Sequence, residues 1–133
     1  MKYNLQQCIG ARLRRLSRIA DAHFRAELTD LDITENQMTI LFALSKLGKI
    51  EQGKIGQNLV LERSTVSRNI KLLEKRNYLI RTEAYRPEVE LTKEGKEFVQ
   101  VLIPRWEKAM NKLISKLGMK GFELIEKLEN RIE

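Results

Sequence analysis

Apolar residues recur at spacings of three and four along most of this chain, and in one place the period changes. Leu5, Ile9, Leu13, Leu16, Ala20, Phe24 and Leu28 keep helical spacing, as do Val66, Ile70 and Leu73, and later Phe98, Leu102, Ala109, Leu113 and Leu117. Tyr78, Leu79, Ile80, Arg81, Thr82 and Glu83 instead favour a strand, and Val89, Glu90 and Leu91 a second one, with AYRP at 84–87 between them. A chain of 133 residues patterned this way is confined to a mainly α fold with a small β-hairpin, and it is long enough for one domain with a real core.

Residues 5–28 read as one long helix whose far side is basic, with Arg12, Arg14, Arg15, Arg18 and Arg25. Thr34 opens a second helix with a capping box: its hydroxyl can accept from the Gln37 amide while Gln37 reaches back, and Ile33 can staple to Met38. Met38, Leu41, Phe42, Ala43 and Leu44 form its buried side, and Gly48 ends it. Residues 52–59, QGKIGQNL, form a weaker helix, since Gly53 and Gly56 each cost about 1 kcal/mol relative to Ala. Gly56 also leaves room for a close backbone. Thr92 caps the last helical region, which Pro104 should kink by removing the bond to Gln100. Gly118 and Gly121 should then interrupt it, leaving Phe122, Ile125, Leu128 and Ile132 on a terminal helix.

The stretch with the most chemistry is ERSTVSRNIKLLEKRNYLI at 62–80. At about 100° per residue, Ile70 and Leu73 share a side with Val66, while Ser64, Arg68, Lys71 and Lys75 lie opposite and Thr65 and Ser67 flank them. A helix that needs only solubility mixes acids with bases on its outer face, and this stripe holds no acid. Such a helix suits the DNA major groove, where Arg makes two bonds to guanine and small hydroxyl residues permit close approach. With 52–59 bracing it across a turn at 60–61, it reads as a helix-turn-helix, and the hairpin beside it as a wing with Arg86 at the tip.

Composition narrows the partners. Lys and Arg outnumber Asp and Glu by 25 to 18, which favours an anionic partner, duplex DNA before a membrane surface. No apolar run approaches the ~20 residues that span a bilayer, so a cytoplasmic protein is expected. One Cys and one His, His23, exclude an intramolecular disulfide and a multi-Cys zinc site. No catalytic constellation, metal site or cofactor loop is present, and neither an enzyme nor a cofactor is expected.

The order of these elements resembles the MarR family of winged-helix transcription regulators over nearly the whole chain. LDITENQMTILFAL at 31–44, LERSTVSRNIKLLEKRNYLI at 61–80 and VELTKEG at 89–95 carry the resemblance. It implies a single domain over 1–133, with 1–30 and 92–133 as dimerisation helices and 34–91 as the DNA-binding lobe. It further implies a homodimeric regulator, a repressor, on a pseudo-palindromic operator, released by a small aromatic or anionic effector. Arg63, Ser64, Thr65, Ser67, Arg68, Lys71, Lys75 and Arg86 are then the candidate DNA contacts. Leu5, Ile9, Leu13, Leu113, Leu117, Phe122 and Leu128, more apolar surface than so small a domain covers alone, are the candidate dimer contacts. Phe24, Phe42 and Trp106 are candidate walls of an effector pocket. The wing departs from the family pattern: Ala84 stands where an Asp usually precedes the arginine, and the loop is shorter. Cys8 lies about two residues too early relative to Ser17 and Arg18 for the peroxide-sensing branch, and it is read as a small hydrophobe. A ligand-independent architectural DNA binder and a winged helix used for protein contact are the alternatives.

Overall fold

Local chemistry decides where the second helix begins. In the computed structural model, which describes residues 1–133, Thr34 Oγ1 accepts from the Gln37 amide at 3.2 Å and Gln37 Oε1 accepts from the Thr34 amide at 3.1 Å. That reciprocal cap starts α2, Glu35–Leu47, and the staple pair Ile33 and Met38 is buried beside it. Gly48 closes the helix at φ 73°, a conformation open to glycine at little cost. The element order is α1 (Ile9–Leu28), α2, β1 (Ile50–Glu51), α3 (Gln52–Leu59), α4 (Arg63–Lys75), β2 (Leu79–Arg81), β3 (Glu88–Leu91) and α5 (Lys93–Ile132).

By contacts the chain divides into two compact units, one of Leu31–Pro104 and one of Met1–Asp30 together with Arg105–Glu133. The central unit contains the helix-turn-helix and the sheet. Ile40, Leu41, Leu44, Ile55, Val66, Ile70, Leu73, Leu79, Val89 and Leu102 are buried there. At roughly 1.5–3 kcal/mol for each fully buried aliphatic side chain, they are the main stabilising term of this unit.

The sheet is antiparallel in the order β1-β3-β2, with Leu79 opposite Leu91, Arg81 opposite Val89, and Ile50 also opposite Val89. The expected hairpin is therefore present, and β1 adds a third strand that a two-residue segment is too short to announce in sequence. Behind the hairpin, Thr92 Oγ1 accepts from the Gly95 amide at 3.0 Å and donates to Asn77 O at 2.6 Å, while the Thr92 amide donates to Tyr78 O at 3.1 Å. A Cβ on Gly95 would lie 1.9 Å from Tyr78 O. The Gly in VELTKEG is thus the place where the start of α5 presses on the start of β2.

Three expectations need correction. Residues 5–28 are not one helix: Leu5–Gln7 is a separate 3-10 turn with its own Asn4–Gln7 capping box, and α1 starts after Cys8. Pro104 keeps helical angles inside α5, and the break falls at one glycine, not two. The non-helical residue is Gly118 at φ 72° and ψ 167°, where only glycine escapes the steric penalty, while Gly121 stays helical. Cys8 is exposed at the N-cap of α1, so it is not a packed hydrophobe.

In the terminal unit, α1 and α5 are joined by charge. Arg105 donates to both oxygens of Asp30, at 2.6 and 2.8 Å, and to the Glu27 carbonyl at 2.9 Å. Lys108 and Lys112 approach the Glu27 carboxylate at 3.6 and 3.3 Å. Arg105 thus binds a carbonyl that the last turn of α1 leaves without a helical partner. Its hydrogen bonds hold the Asp30 carboxyl below the usual carboxylate range.

Candidate nucleic-acid interface

The outward side of α4 is set by its inward side. Val66, Ile70 and Leu73 are buried, and helical geometry then turns Ser64, Arg68, Lys71 and Lys75 to solvent, all four of them exposed. Thr65 and Ser67 sit on the flanks and Arg63 is exposed in the first turn. Arg63, Arg68, Lys71, Lys75 and Arg86 make no ion pair, so their charge is uncompensated at the surface. At 13 residues α4 is about 20 Å long, and a helix of about 10–12 Å overall diameter fits a major groove about 12 Å wide.

The N-terminus of α4 adds to this field. Its N-cap, Glu62, makes no side-chain bond to the helix, and the first turn contains no acid. The leading amides are left to an outside acceptor, and a phosphate suits them in both charge and geometry.

α3 is held across α4 by a close turn. A Cβ on Gly56 would meet Leu61 O at 3.1 Å and Val66 Cγ2 at 3.4 Å, and the Leu61 amide donates to Gly56 O at 2.9 Å. The turn itself places Val60 at φ 54° and ψ 50° with 89 % of its surface exposed. That is the left-handed region, which a β-branched residue rarely enters.

The wing is short and tied at its base. The Thr82 amide donates to Glu88 O at 2.9 Å and the Glu88 amide to Thr82 Oγ1 at 2.8 Å, closing the loop at 82–87. The Gln52 amide donates to Pro87 O at 2.9 Å and fastens the loop to the start of α3. An open notch of about 670 Å³ lies between them, with Arg63, Ser67 and Gln57 on the helical side and Tyr85, Arg86 and Pro87 on the wing. Arg63, Ser67 and Arg86 thus come together, while Lys71 and Lys75 lie further along α4. Tyr85, missing from the sequence-based candidates, is 98 % exposed next to Arg86. Its position in AYRP was the available signal, because a large aromatic at a hairpin tip has nothing to pack against.

Arg76 braces the far end of α4. It donates to the carbonyls of Asp32 and, at 3.3 Å, Leu31, and its guanidinium lies 5.1 Å from the centre of the Tyr78 ring. Tyr78 stacks on Phe98 at 4.4 Å and 4°.

The other candidates are placed as follows. Leu5, Ile9, Leu13, Leu117 and Leu128 are exposed in the terminal unit, with Leu113 and Phe122 half-buried. Phe24 and Trp106 are half-buried in the terminal unit and Phe42 is half-buried in the central one. No group of three or more His, Cys, Asp or Glu side chains gathers to hold a metal, and no helix is long and apolar enough to cross a membrane.

Comparison with known proteins bears on this geometry. A family model, MarR family, matches residues 33–84, which contain α2, α3, α4 and β2. By sequence alone no curated relative matches. Among solved structures, BpsR of Bordetella bronchiseptica, in a study of how 6-hydroxynicotinic acid regulates its DNA binding, superposes with TM-score 0.89 at 23% identity, over 98% of this chain and 96% of that one. A cysteine-to-serine mutant of MarR from E. coli, complexed with operator DNA, gives TM-score 0.85 at 17% identity, over 98% and 99% of the two chains. PcaV of Streptomyces coelicolor with its natural ligand gives 0.83 at 22% identity, over 98% of each.

Proposed function

We propose, from the premise that this chain is a MarR-family winged helix-turn-helix protein, that it is a sequence-specific transcription repressor acting as a homodimer on a pseudo-palindromic operator. The observation that carries the reading is the acid-free, unpaired cationic stripe of α4, mounted on a buried apolar one. Arg68 reads a base edge, because its planar fork can bond two acceptors on one guanine. Lys71, a point charge further along the helix, meets phosphate. Arg63, Ser64 and Thr65 approach the backbone at the helix start, Ser67 flanks the base-reading stripe, and Lys75 and Arg86 supply further phosphate charge.

Exposed apolar side chains support the dimer: Ile9 is 69 % and Leu128 56 % accessible, with Leu16, Ile19, Leu124 and Ile132 also open to solvent. A monomer rarely leaves such a surface uncovered. Two copies then place two α4 helices on half-sites about one helical turn apart. A small aromatic acid is the effector class that fits the reading, since BpsR is regulated by 6-hydroxynicotinic acid. Phe24, Phe42 and Trp106 are the aromatic side chains assigned to it.

Selection of duplexes from a random pool, followed by binding titrations in varied salt, tests the proposal. Arg68→Ala should cost on the order of 1–3 kcal/mol on the selected site and relax choice at one position in each half-site. Lys71→Ala should weaken all duplexes alike and lower the salt slope by about one unit per subunit. Equal loss on selected and random DNA for Arg68→Ala would mean that α4 grips backbone only, as an architectural binder does.

A further inference from the structure

α4 contains one polar side chain on its inward face. Asn69 lies one turn after Thr65, is only 7 % exposed, and faces Gln37 of α2, also 7 % exposed. They are the buried polar residues of a core that is otherwise aliphatic. A buried amide that made no bonds would be destabilising by about 1–3 kcal/mol. These two are bonded in a directed chain. Gln37 Oε1 accepts from the Thr34 amide at 3.1 Å, Gln37 Nε2 donates to Asn69 Oδ1 at 3.2 Å, and Asn69 Nδ2 donates to Thr65 O at 2.9 Å.

Each amide has one end that accepts and one that donates, and turning either over breaks two of the three bonds. The cap of α2 is therefore connected, atom by atom, to a backbone carbonyl in the base-facing half of α4. Leucine or methionine at these positions would fill similar space. An apolar pair would not distinguish one rotation of α4 about its axis from a neighbouring one, since dispersion and burial are non-directional.

Rotation matters here more than elsewhere in the molecule. Turning a helix by about 10° carries an atom about 6 Å from its axis through about 1 Å. A binding constellation has to be held within about 0.5 Å. Contacts to phosphate by flexible lysines absorb such an error, whereas a planar arginine on one base edge does not.

We propose that Gln37 and Asn69 are positioning residues that fix the rotation of α4, so that they set sequence discrimination without touching DNA. The proposal rests on α4 being the reading helix. It assigns discrimination to a buried link and leaves non-specific affinity to the exposed cations.

The test uses the full chain, a duplex selected from a random pool, and a random duplex as competitor. Asn69→Leu should lower affinity for the selected duplex tenfold or more, while affinity for the random duplex stays within twofold and the salt slope is unchanged. Gln37→Met, made in the other helix, should produce the same loss of discrimination, and it decides the matter if Asn69→Leu does not stay folded at the assay temperature. An unchanged ratio of selected to random affinity in a folded variant would overturn the proposal. So would an equal fall on both duplexes, which means that the pair only holds the fold together. Failure of the unsubstituted chain to select any duplex is a different result, and it removes the function proposed above.

Discussion

The central and terminal units solve the problem of stability in opposite ways. Leu31–Pro104 buries most of its large aliphatic side chains and bonds the buried amides of Gln37 and Asn69 to one another. The terminal unit leaves Leu5, Ile9, Leu16, Leu124, Leu128 and Ile132 in water, and joins α1 to α5 through Arg105, Lys108 and Lys112, whose ion pairs open to the surface through Asp30 and the two lysines while the Glu27 carboxylate is mostly covered. Exposed ion pairs contribute little, with a median of about 0–1 kcal/mol, so charge is no substitute for the missing burial. One unit is finished by its own residues. The other leaves an apolar surface open, which the proposed dimer would cover, and the two should therefore respond differently to substitution.

The largest expected effect lies in the terminal unit and concerns association. Ile9→Glu puts a charge on the exposed stripe, and a two-fold interface contains the change twice. Loss of one aliphatic contact per chain amounts to roughly 3–6 kcal/mol per dimer. Sedimentation at micromolar concentration should move from a dimer to a monomer, and binding to a two-half-site duplex should fall with it. If Ile9→Glu and Leu128→Glu both leave the association state as it was, the exposed stripe is not what completes this unit, and the contrast fails.

Next comes a substitution that the central unit cannot absorb. In Gly95→Ala the new Cβ would sit 1.9 Å from the Tyr78 carbonyl oxygen, a backbone atom held by the Thr92 amide and the sheet. Overpacking of that kind costs about 3 kcal/mol or more, and the melting temperature should drop by on the order of 10 °C. Gly53→Ala is the control, since a Cβ there meets nothing within 4 Å. That variant should melt no lower than the unsubstituted chain, because Ala is the better helix former. Equal melting temperatures for the two variants would show that the start of α5 yields more readily than its packing implies.

What could be read from the sequence follows from how local each signal is. The Thr34–Gln37 cap and the stripe of Arg68, Lys71 and Lys75 were legible because their partners lie within a turn or two on the same helix. Gly95 and Tyr78 are separated in sequence by the whole hairpin, and their close approach appears only once it has folded. Asn69 falls on the edge of the apolar stripe and has no visible role until Gln37, on another helix, is set beside it. Gly118 and Gly121 look alike in sequence, and only the folded backbone shows that Gly118 alone adopts a φ that breaks the helix.

A smaller effect tests whether the central unit is everywhere relaxed. Val60 holds a left-handed conformation in the turn between α3 and α4, at about 1–2 kcal/mol of strain, and packs little because it is 89 % exposed. Val60→Gly removes the strain and returns some entropy to the unfolded chain, roughly 0.4–1 kcal/mol. The net should be a gain of up to about 1 kcal/mol and a higher melting temperature. A lower one would mean that Val60 contributes packing that its exposure hides.

The smallest effect separates the two units by pH. Hydrogen bonds from Arg105 lower the pKa of Asp30 in the folded chain, relative to about 3.9 in the unfolded one. A carboxyl whose folded pKa is depressed contributes stability that is present above the unfolded value and is lost as pH falls through the folded value. The difference in melting temperature between the unsubstituted chain and Asp30→Asn should therefore be small and level from pH 7 to about pH 5. Below about pH 4 it should shrink toward zero. Added salt should shrink it as well, because Asp30 is exposed. The Gln37–Asn69 link in the central unit contains no titratable group, so the corresponding difference for Asn69→Leu should stay level over the same range. A difference for Asp30→Asn that widened as the pH fell would show that Asp30 is not held as a carboxylate by Arg105, and the terminal unit would then depend on something other than surface charge to join its two helices.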